Sequence, residues 1–131
     1  DITPKGKRIL AVFGAAGKRD TKIRPILGEI ADRFCDTIIL TEEDPRNELP
    51  HAIAEQIAKG ITKSNYSIVE DRYDAIRQAL EMANEGDTVL ILAKGDESYM
   101  YREFGREDWI GDDNAVREIL REVVLIKEEN Q

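Results

Sequence analysis

The sequence predicts one Rossmann-like α/β domain over residues 1–131, a mostly parallel sheet with helices on both faces. Two observations carry that expectation. Short apolar runs alternate with amphipathic stretches four times along the chain, which implies right-handed crossovers between parallel strands. The fourth run, Thr88 to Ala93, is apolar throughout, as in a strand covered on both faces.

Arg8 to Phe13 reads as the first strand, ended by Gly14. A glycine-containing turn, Gly14 to Asp20, leads into a helix. Ile23, Ile26, Leu27, Ile30, Ala31 and Phe34 recur there at helical spacing, and Pro25 is tolerated in the first turn. Asp36 to Thr41 is the second strand. An acidic loop, Glu42-Glu43-Asp44-Pro45-Arg46, precedes a second amphipathic stretch through Ile53, Ile57 and Ile61. Tyr66 to Val69 is the third strand. Asp71 is placed to cap a helix whose apolar face carries Ala75, Ile76, Ala79, Leu80 and Ala83. After the fourth strand, Tyr99 to Ile110 reads as a short hairpin or an irregular loop. Asp112 or Asp113 caps a last helix through Val116, Ile119, Leu120 and Val123, and Lys127 to Gln131 is expected to fray.

A chain of 131 residues suits one domain with one core. With 19 Lys and Arg against 27 Asp and Glu, the net charge is −8, which argues against a general nucleic-acid binder. No apolar run approaches the length of a membrane span, and no signal peptide opens the chain. The missing initiator Met reads as a piece of something longer. One cysteine, Cys35, makes neither an internal disulfide nor a cysteine-rich zinc site, so a reducing compartment is expected. It reads as a small buried hydrophobe. His51 is the only histidine and has no Ser or Cys nucleophile beside it, so no triad is expected. The acidic residues lack EF-hand spacing, and there is no metal site in the pattern. Trp109, Tyr99 and Tyr101 read as packing residues. Charge is uneven along the chain. Eight Lys/Arg against four Asp/Glu precede Asp36, and eleven against 23 follow Cys35. Solvated helix faces account for that, as does one end meeting an anion and another a cation.

In an open α/β sheet, ligands bind at the carboxyl ends of the strands. Three loops there carry unusual residues. The first, Gly14-Ala15-Ala16-Gly17-Lys18-Arg19-Asp20, sets glycine and basic residues at a helix start, suited to a carboxylate or phosphate. It lacks the Gly-Lys-Thr/Ser of a P-loop and the GxGxxG fingerprint. Its plainer reading is a tight turn with solvated charges. In the second, Pro45 fixes the backbone beside Glu43, Asp44 and Arg46. Arg46 offers a planar fork to a carboxylate, while Glu43 and Asp44 suit an ammonium, so the loop fits a zwitterionic amino acid. A surface turn with a local ion pair is the alternative. The third, Lys94-Gly95-Asp96-Glu97, permits close backbone approach, and Glu97 can accept from an amine.

The succession FGAAGKRDTKIRPILGEIAD, TEEDPRNE, EDRYDAI, GDTVLILAKGDESY and DDNAVREIL resembles the C-terminal domain of the Mur ligases, over nearly the whole chain and in the same loop order. The likeness is strongest to the branch that adds diaminopimelate or lysine to a UDP-MurNAc-dipeptide. It implies a cytoplasmic, ATP-dependent ligase of peptidoglycan precursor synthesis. In that family ATP phosphorylates the dipeptide carboxylate, and the amine of the incoming amino acid attacks the acyl phosphate. The C-terminal domain closes over the site and holds the amino acid. The family's Asp-Asn-Pro-Arg appears as Glu43-Asp44-Pro45-Arg46, and its Gly-Asp-Arg-Asp as Gly17-Lys18-Arg19-Asp20. Its Gly-Lys-Gly-His-Glu appears as Ala93-Lys94-Gly95-Asp96-Glu97. By resemblance, Arg19, Glu43, Asp44, Arg46, Ala93 and Glu97 contact the amino acid, with Lys94 and Asp96 as secondary candidates. Arg19 and Arg46 grip carboxylate, and Glu97 receives an amine.

Two departures pull in one direction. Asp44 and Asp96 each add negative charge, which favours the side-chain ammonium of L-lysine, whereas Arg46 favours meso-diaminopimelate. The resemblance also implies ATP and Mg2+ as cofactors of a larger ligase whose P-loop and UDP-binding domains lie outside these residues. No catalytic residue is then expected here, and the isolated domain is expected to be an inactive monomer. Two other readings stand beside it: a folylpolyglutamate-synthase-like ligase domain, and a non-enzymatic Rossmann-like binding module.

Overall fold

The computed structural model describes residues 7–95 and 97–129. Four strands form one all-parallel sheet: β1 (Ile9–Phe13), β2 (Thr37–Leu40), β3 (Asn65–Ile68) and β4 (Thr88–Ile91), in the order β3-β2-β1-β4. The connecting helices are α1 (Ile23–Phe34), α2 (Pro50–Ala58) and α3 (Arg72–Met82). A two-stranded antiparallel hairpin follows, β5 (Tyr99–Arg102) with β6 (Gly105–Asp108), and the chain continues into α4 (Asp112–Glu129).

Strand alternation sends successive side chains to opposite faces. Ala11 and Phe13 of β1, with Ile38 and Leu40 of β2, pack against Ile53, Ala54 and Ile57 of α2 and Leu27 and Ala31 of α1. Val12 and Ile39, from the same strands, point the other way onto Ala75, Ile76 and Ala79 of α3 and Ala115, Ile119 and Val123 of α4. Helices therefore cover both faces, as the alternation predicts. Asp71 caps α3 by accepting from the Asp74 N–H at 2.9 Å.

Three expectations need correction. β4 lies at the edge of the sheet and is only half-buried, with Leu92 just beyond it 46% exposed; the buried central strands are β2 and, apart from Ile9, β1. An apolar run shows that a strand can be covered, not how far the helices on either face extend over it. α4 holds helical geometry through Glu129, past the expected fraying point at Lys127. Its Asp112 carboxylate accepts from Arg72 and Trp109 instead of capping the helix, and Asp113 accepts from Arg117. The Tyr99–Ile110 region resolves as the hairpin.

Carboxylates tie the connections together. Asp32 of α1 accepts from the backbone N–H groups of Thr62, Lys63 and Ser64, and those donors hold its carboxyl well below the usual range. Asp87 accepts from the N–H groups of Arg8 and Asn84, which hold it down to about 2. Glu48 is held down to about 2, first by the Arg24 guanidinium and then by the Lys18 N–H. A carboxyl whose pKa is lowered in the fold stabilises above its unfolded value and loses that contribution as pH falls through the folded value. Ordinary values here are 3.8 for Asp and 4.5 for Glu. The urea midpoint is therefore expected to hold down to pH 4.5 and to fall between there and about 2. Asp32→Asn should flatten that slope; equal slopes for the two proteins would remove Asp32 from the account.

Candidate functional site

Three strand-end loops and the hairpin meet at the carboxyl edge of the sheet. The loop after β1 lies directly on the loop after β2. The Gly17 N–H donates to the Asp44 carbonyl at 3.0 Å, and a Cβ at Gly17 would fall 1.9 Å from the Pro45 carbonyl oxygen. Behind them sits Arg24 of α1, fully buried. It donates to both carboxylate oxygens of Glu48, to the Gln56 side chain and to the Ala16 carbonyl, while Glu48 also accepts from the Lys18 N–H.

The loop after β2 is fixed from its other side by the hairpin. Arg46 donates its N–H to the Tyr101 carbonyl at 3.1 Å and bridges to Arg102. Asp44 accepts from the Tyr101 N–H at 2.8 Å, and its own N–H faces the Met100 sulfur at 3.4 Å. Buried Glu42 is ion-paired with Arg102. These restraints hold Asp44 at φ 40° and Arg46 at φ 54°, left-handed conformations that L residues adopt at a cost and that cluster at functional sites. Ala93 sits at φ 89°, so its contribution here is a strained turn.

Charge converges at this edge. The buried Lys94 ammonium donates to Asp44 at 2.8 Å, pairs with Glu97 at 3.1 Å and lies 5.4 Å from the Tyr99 ring centre. Burial disfavours that ammonium, but Asp44 and Glu97 outweigh it and raise its pKa. Glu43 is half-buried; burial and then the Asp44 charge push its pKa up, against the pull of Arg72 and Lys94. Glu97 keeps 43% of its side chain exposed. The Arg46 guanidinium lies 5.4 Å from the Tyr101 ring centre and donates one nitrogen, Nη1, to the Gly17 carbonyl at 3.0 Å. Its Nε and Nη2 have no hydrogen-bond partner among the described residues and remain available to a ligand carboxylate.

The structure thus brings Glu43, Asp44, Arg46, Lys94 and Glu97 together. Arg19 is exposed on the first loop and makes no hydrogen bond or ion pair among the described residues. Asp96 lies outside the described residues. Asp44 departs from the sequence expectation: instead of offering free charge to an ammonium, it is paired with Lys94. Sequence reading missed Arg24, Glu42, Glu48, Arg72 and Tyr101. Arg24 and Arg72 carried one usable signal, an arginine in the first turn of a helix that follows a strand end.

Among the described residues, no group of three His, Cys, Asp or Glu side chains is placed to hold a metal. The first loop also lacks a nucleotide loop's Gly-Lys-Thr. The described residues thus offer neither a nucleotide loop nor a carboxylate cluster that would fit ATP or magnesium.

Opposite charges gathered on the carboxyl edge of a parallel sheet covered on both faces are the arrangement of the α/β class whose members bind ligands at that edge. Residues 1–95 match the family described as "Mur ligase, glutamate ligase domain", and the chain belongs to that family. It is 45% identical over 117 residues to the UDP-N-acetylmuramoyl-L-alanyl-D-glutamate--2,6-diaminopimelate ligase of Aquifex aeolicus, covering 88% of this chain and 24% of that protein. The enzyme of the same name from Syntrophomonas wolfei is 46% identical over 96 residues, covering 71% of this chain and 20% of the relative. A solved structure of a ligase of that name superposes with a TM-score of 0.82 at 32% identity, covering 91% of this chain and 24% of that one. The chain thus spans about a quarter of the length of such relatives.

Proposed function

We propose that this chain is the amino-acid-holding, closing domain of an ATP-dependent ligase that adds meso-diaminopimelate to a UDP-MurNAc-dipeptide in peptidoglycan precursor synthesis. The observation that carries the proposal is Arg46, a guanidinium anchored through one nitrogen and a tyrosine ring, with two nitrogens left for a carboxylate. On the same edge Glu97, whose Oε1 pairs with Lys94 at 3.1 Å, keeps 43% of its side chain exposed and offers its other oxygen to an ammonium. Exposed Arg19 is a second carboxylate donor. ATP and Mg2+, which would supply the activation of the dipeptide carboxylate, would be held by other domains of the ligase. The residues of this chain bind and orient the incoming amino acid so that its free amine faces the activated carbonyl.

Diaminopimelate is preferred to lysine for an electrostatic reason. The negative charge of Asp44, which in isolation suits a side-chain ammonium, is already neutralised by Lys94. Arg46 then decides in favour of the substrate with an extra carboxylate. The relatives' names agree, and they favour neither the folylpolyglutamate-type alternative nor a non-enzymatic module. A cytoplasmic monomer fits this function, and no helix among the described residues is long and apolar enough to cross a membrane.

Steady-state kinetics of the intact ligase test the assignment. With diaminopimelate and L-lysine varied separately, kcat/KM is expected to favour diaminopimelate by at least about tenfold. Equal or inverted preference would overturn the substrate, and addition of neither would overturn the ligase reading.

A further inference from the structure

Arg72 occupies a position that ordinarily disfavours a cation. It is the first residue of α3, where the helix dipole repels positive charge, and its side chain is fully buried. Its partners explain why it is there. Nε and Nη2 donate to the two carboxylate oxygens of Asp112 at 2.8 and 2.7 Å, a bidentate fork. Nη1 donates to the Glu42 carbonyl at 3.0 Å, and Nη2 also donates to the Leu92 carbonyl at 2.9 Å. Asp112 is steadied in turn by the Trp109 indole N–H at 3.2 Å.

The two carbonyls are informative. Glu42 immediately precedes Glu43-Asp44-Pro45-Arg46, and Leu92 immediately precedes Ala93-Lys94-Gly95-Asp96-Glu97. The strands feeding these loops, β2 and β4, are not neighbours, because β1 lies between them. No sheet hydrogen bond therefore sets the distance from one loop to the other. Strands two places apart lie about 9–10 Å from each other, and the Arg72 guanidinium, coming from the helix layer, reaches both ends. Lys94 and Asp44 cross-link the loops beyond their roots; Arg72 cross-links them at the roots.

We propose that Arg72 is a positioning residue that sets the spacing between the carboxylate-binding Arg46 and the amine-accepting Glu97, and so the length of amino acid the site takes. This rests on the function proposed above. A fork to Asp112 fixes the guanidinium, and its other N–H groups hold the two carbonyls. Lysine cannot replace it, because a single ammonium cannot span both carbonyls and the carboxylate.

The test uses the intact ligase with Arg72→Lys, Asp112→Asn and, as reference, Arg46→Ala. Each is assayed well below its own Tm for the KM of diaminopimelate, the KM of ATP, and the ratio of kcat/KM for diaminopimelate over lysine. Arg72→Lys is expected to raise the diaminopimelate KM and lower that ratio, each by about tenfold, with the ATP KM held within about twofold. A merely structural arginine would lower Tm without splitting the two KM values. If Arg72→Lys fails to fold, Asp112→Asn decides: it keeps the shape of the carboxylate and should move the same two readouts by about threefold. Unchanged diaminopimelate KM and ratio in the folded variant, beside a raised KM in Arg46→Ala, overturn the positioning role alone. An unchanged KM in Arg46→Ala overturns the site itself, and the positioning role falls with it.

Discussion

Arg46→Ala in the intact ligase is expected to raise the KM for diaminopimelate about 10- to 150-fold and to leave that for ATP unchanged. The guanidinium is held by the Gly17 carbonyl and the Tyr101 ring, so little side-chain entropy remains to be lost when a carboxylate arrives. A charge-assisted hydrogen bond contributes about 1.5–3 kcal/mol, which sets the range. Arg46→Lys should recover only part of the loss, because an ammonium lacks the fork. Arg19→Ala should shift the same constant, since its exposed guanidinium starts without a partner. Were Arg46 only a surface ion-pair residue, its removal would cost under about 1 kcal/mol and leave the amino-acid KM unmoved. Initial-rate kinetics with each substrate varied separate these outcomes.

Gly28→Ala is expected to destabilise the domain by about 3 kcal/mol or more, against the sign that helix propensity assigns. In an exposed helix interior the change would stabilise by about 1 kcal/mol. Gly28 faces the neighbouring helix instead: an added Cβ would fall 1.9 Å from the Ile57 carbonyl oxygen and 3.0 Å from its carbon. Gly60 makes the reciprocal approach, its Cβ position lying 2.0 Å from the Pro25 carbonyl oxygen. Both obstacles are backbone, which cannot rotate aside. α1 and α2 would separate over the cluster containing Leu27, Ala31, Ile53 and Ile57. Urea unfolding of wild type and variant measures the difference, and an unchanged or higher midpoint would show that the two helices are free to part.

What could be read from the sequence was local. Apolar periodicity located the strands and helices of the sheet layer to within a residue or two, except that α2 ends at Ala58, three residues before Ile61; β1, β2, α2 and α3 each bury a face that recurs at its own period. The position of β4 at the edge was not readable, since an apolar strand reads the same with one neighbour or two. The site divided along the same line. Glu43, Asp44, Arg46, Lys94 and Glu97 stood out as charged residues at strand ends. The pairing of Asp44 with Lys94 joins residues 50 positions apart, and that of Arg72 with Asp112 joins residues 40 apart. No local pattern encodes such pairs. The Asp44 charge consequently reads as free in the sequence and as neutralised in the fold.

The anchoring of Asp44 and Arg46 by the hairpin has a consequence for the order of events during synthesis. All four strands of the sheet are complete by Ile91, before Tyr99 to Asp108 has left the ribosome. The sheet can pair and bury the cluster beneath α1 and α2 without the hairpin, whereas the opposite cluster waits for Ala115, Ile119 and Val123 of α4. Left-handed backbone at Asp44 and Arg46, on either side of Pro45, is costly, and the contacts of Met100, Tyr101 and Arg102 that help offset it arrive only with the hairpin. The nascent domain therefore pairs its sheet first and gains its recognition surface only with the last third of the chain, so that a chain stopped after β4 would have one face covered by α1 and α2, the other by α3 alone, and its rim unfinished.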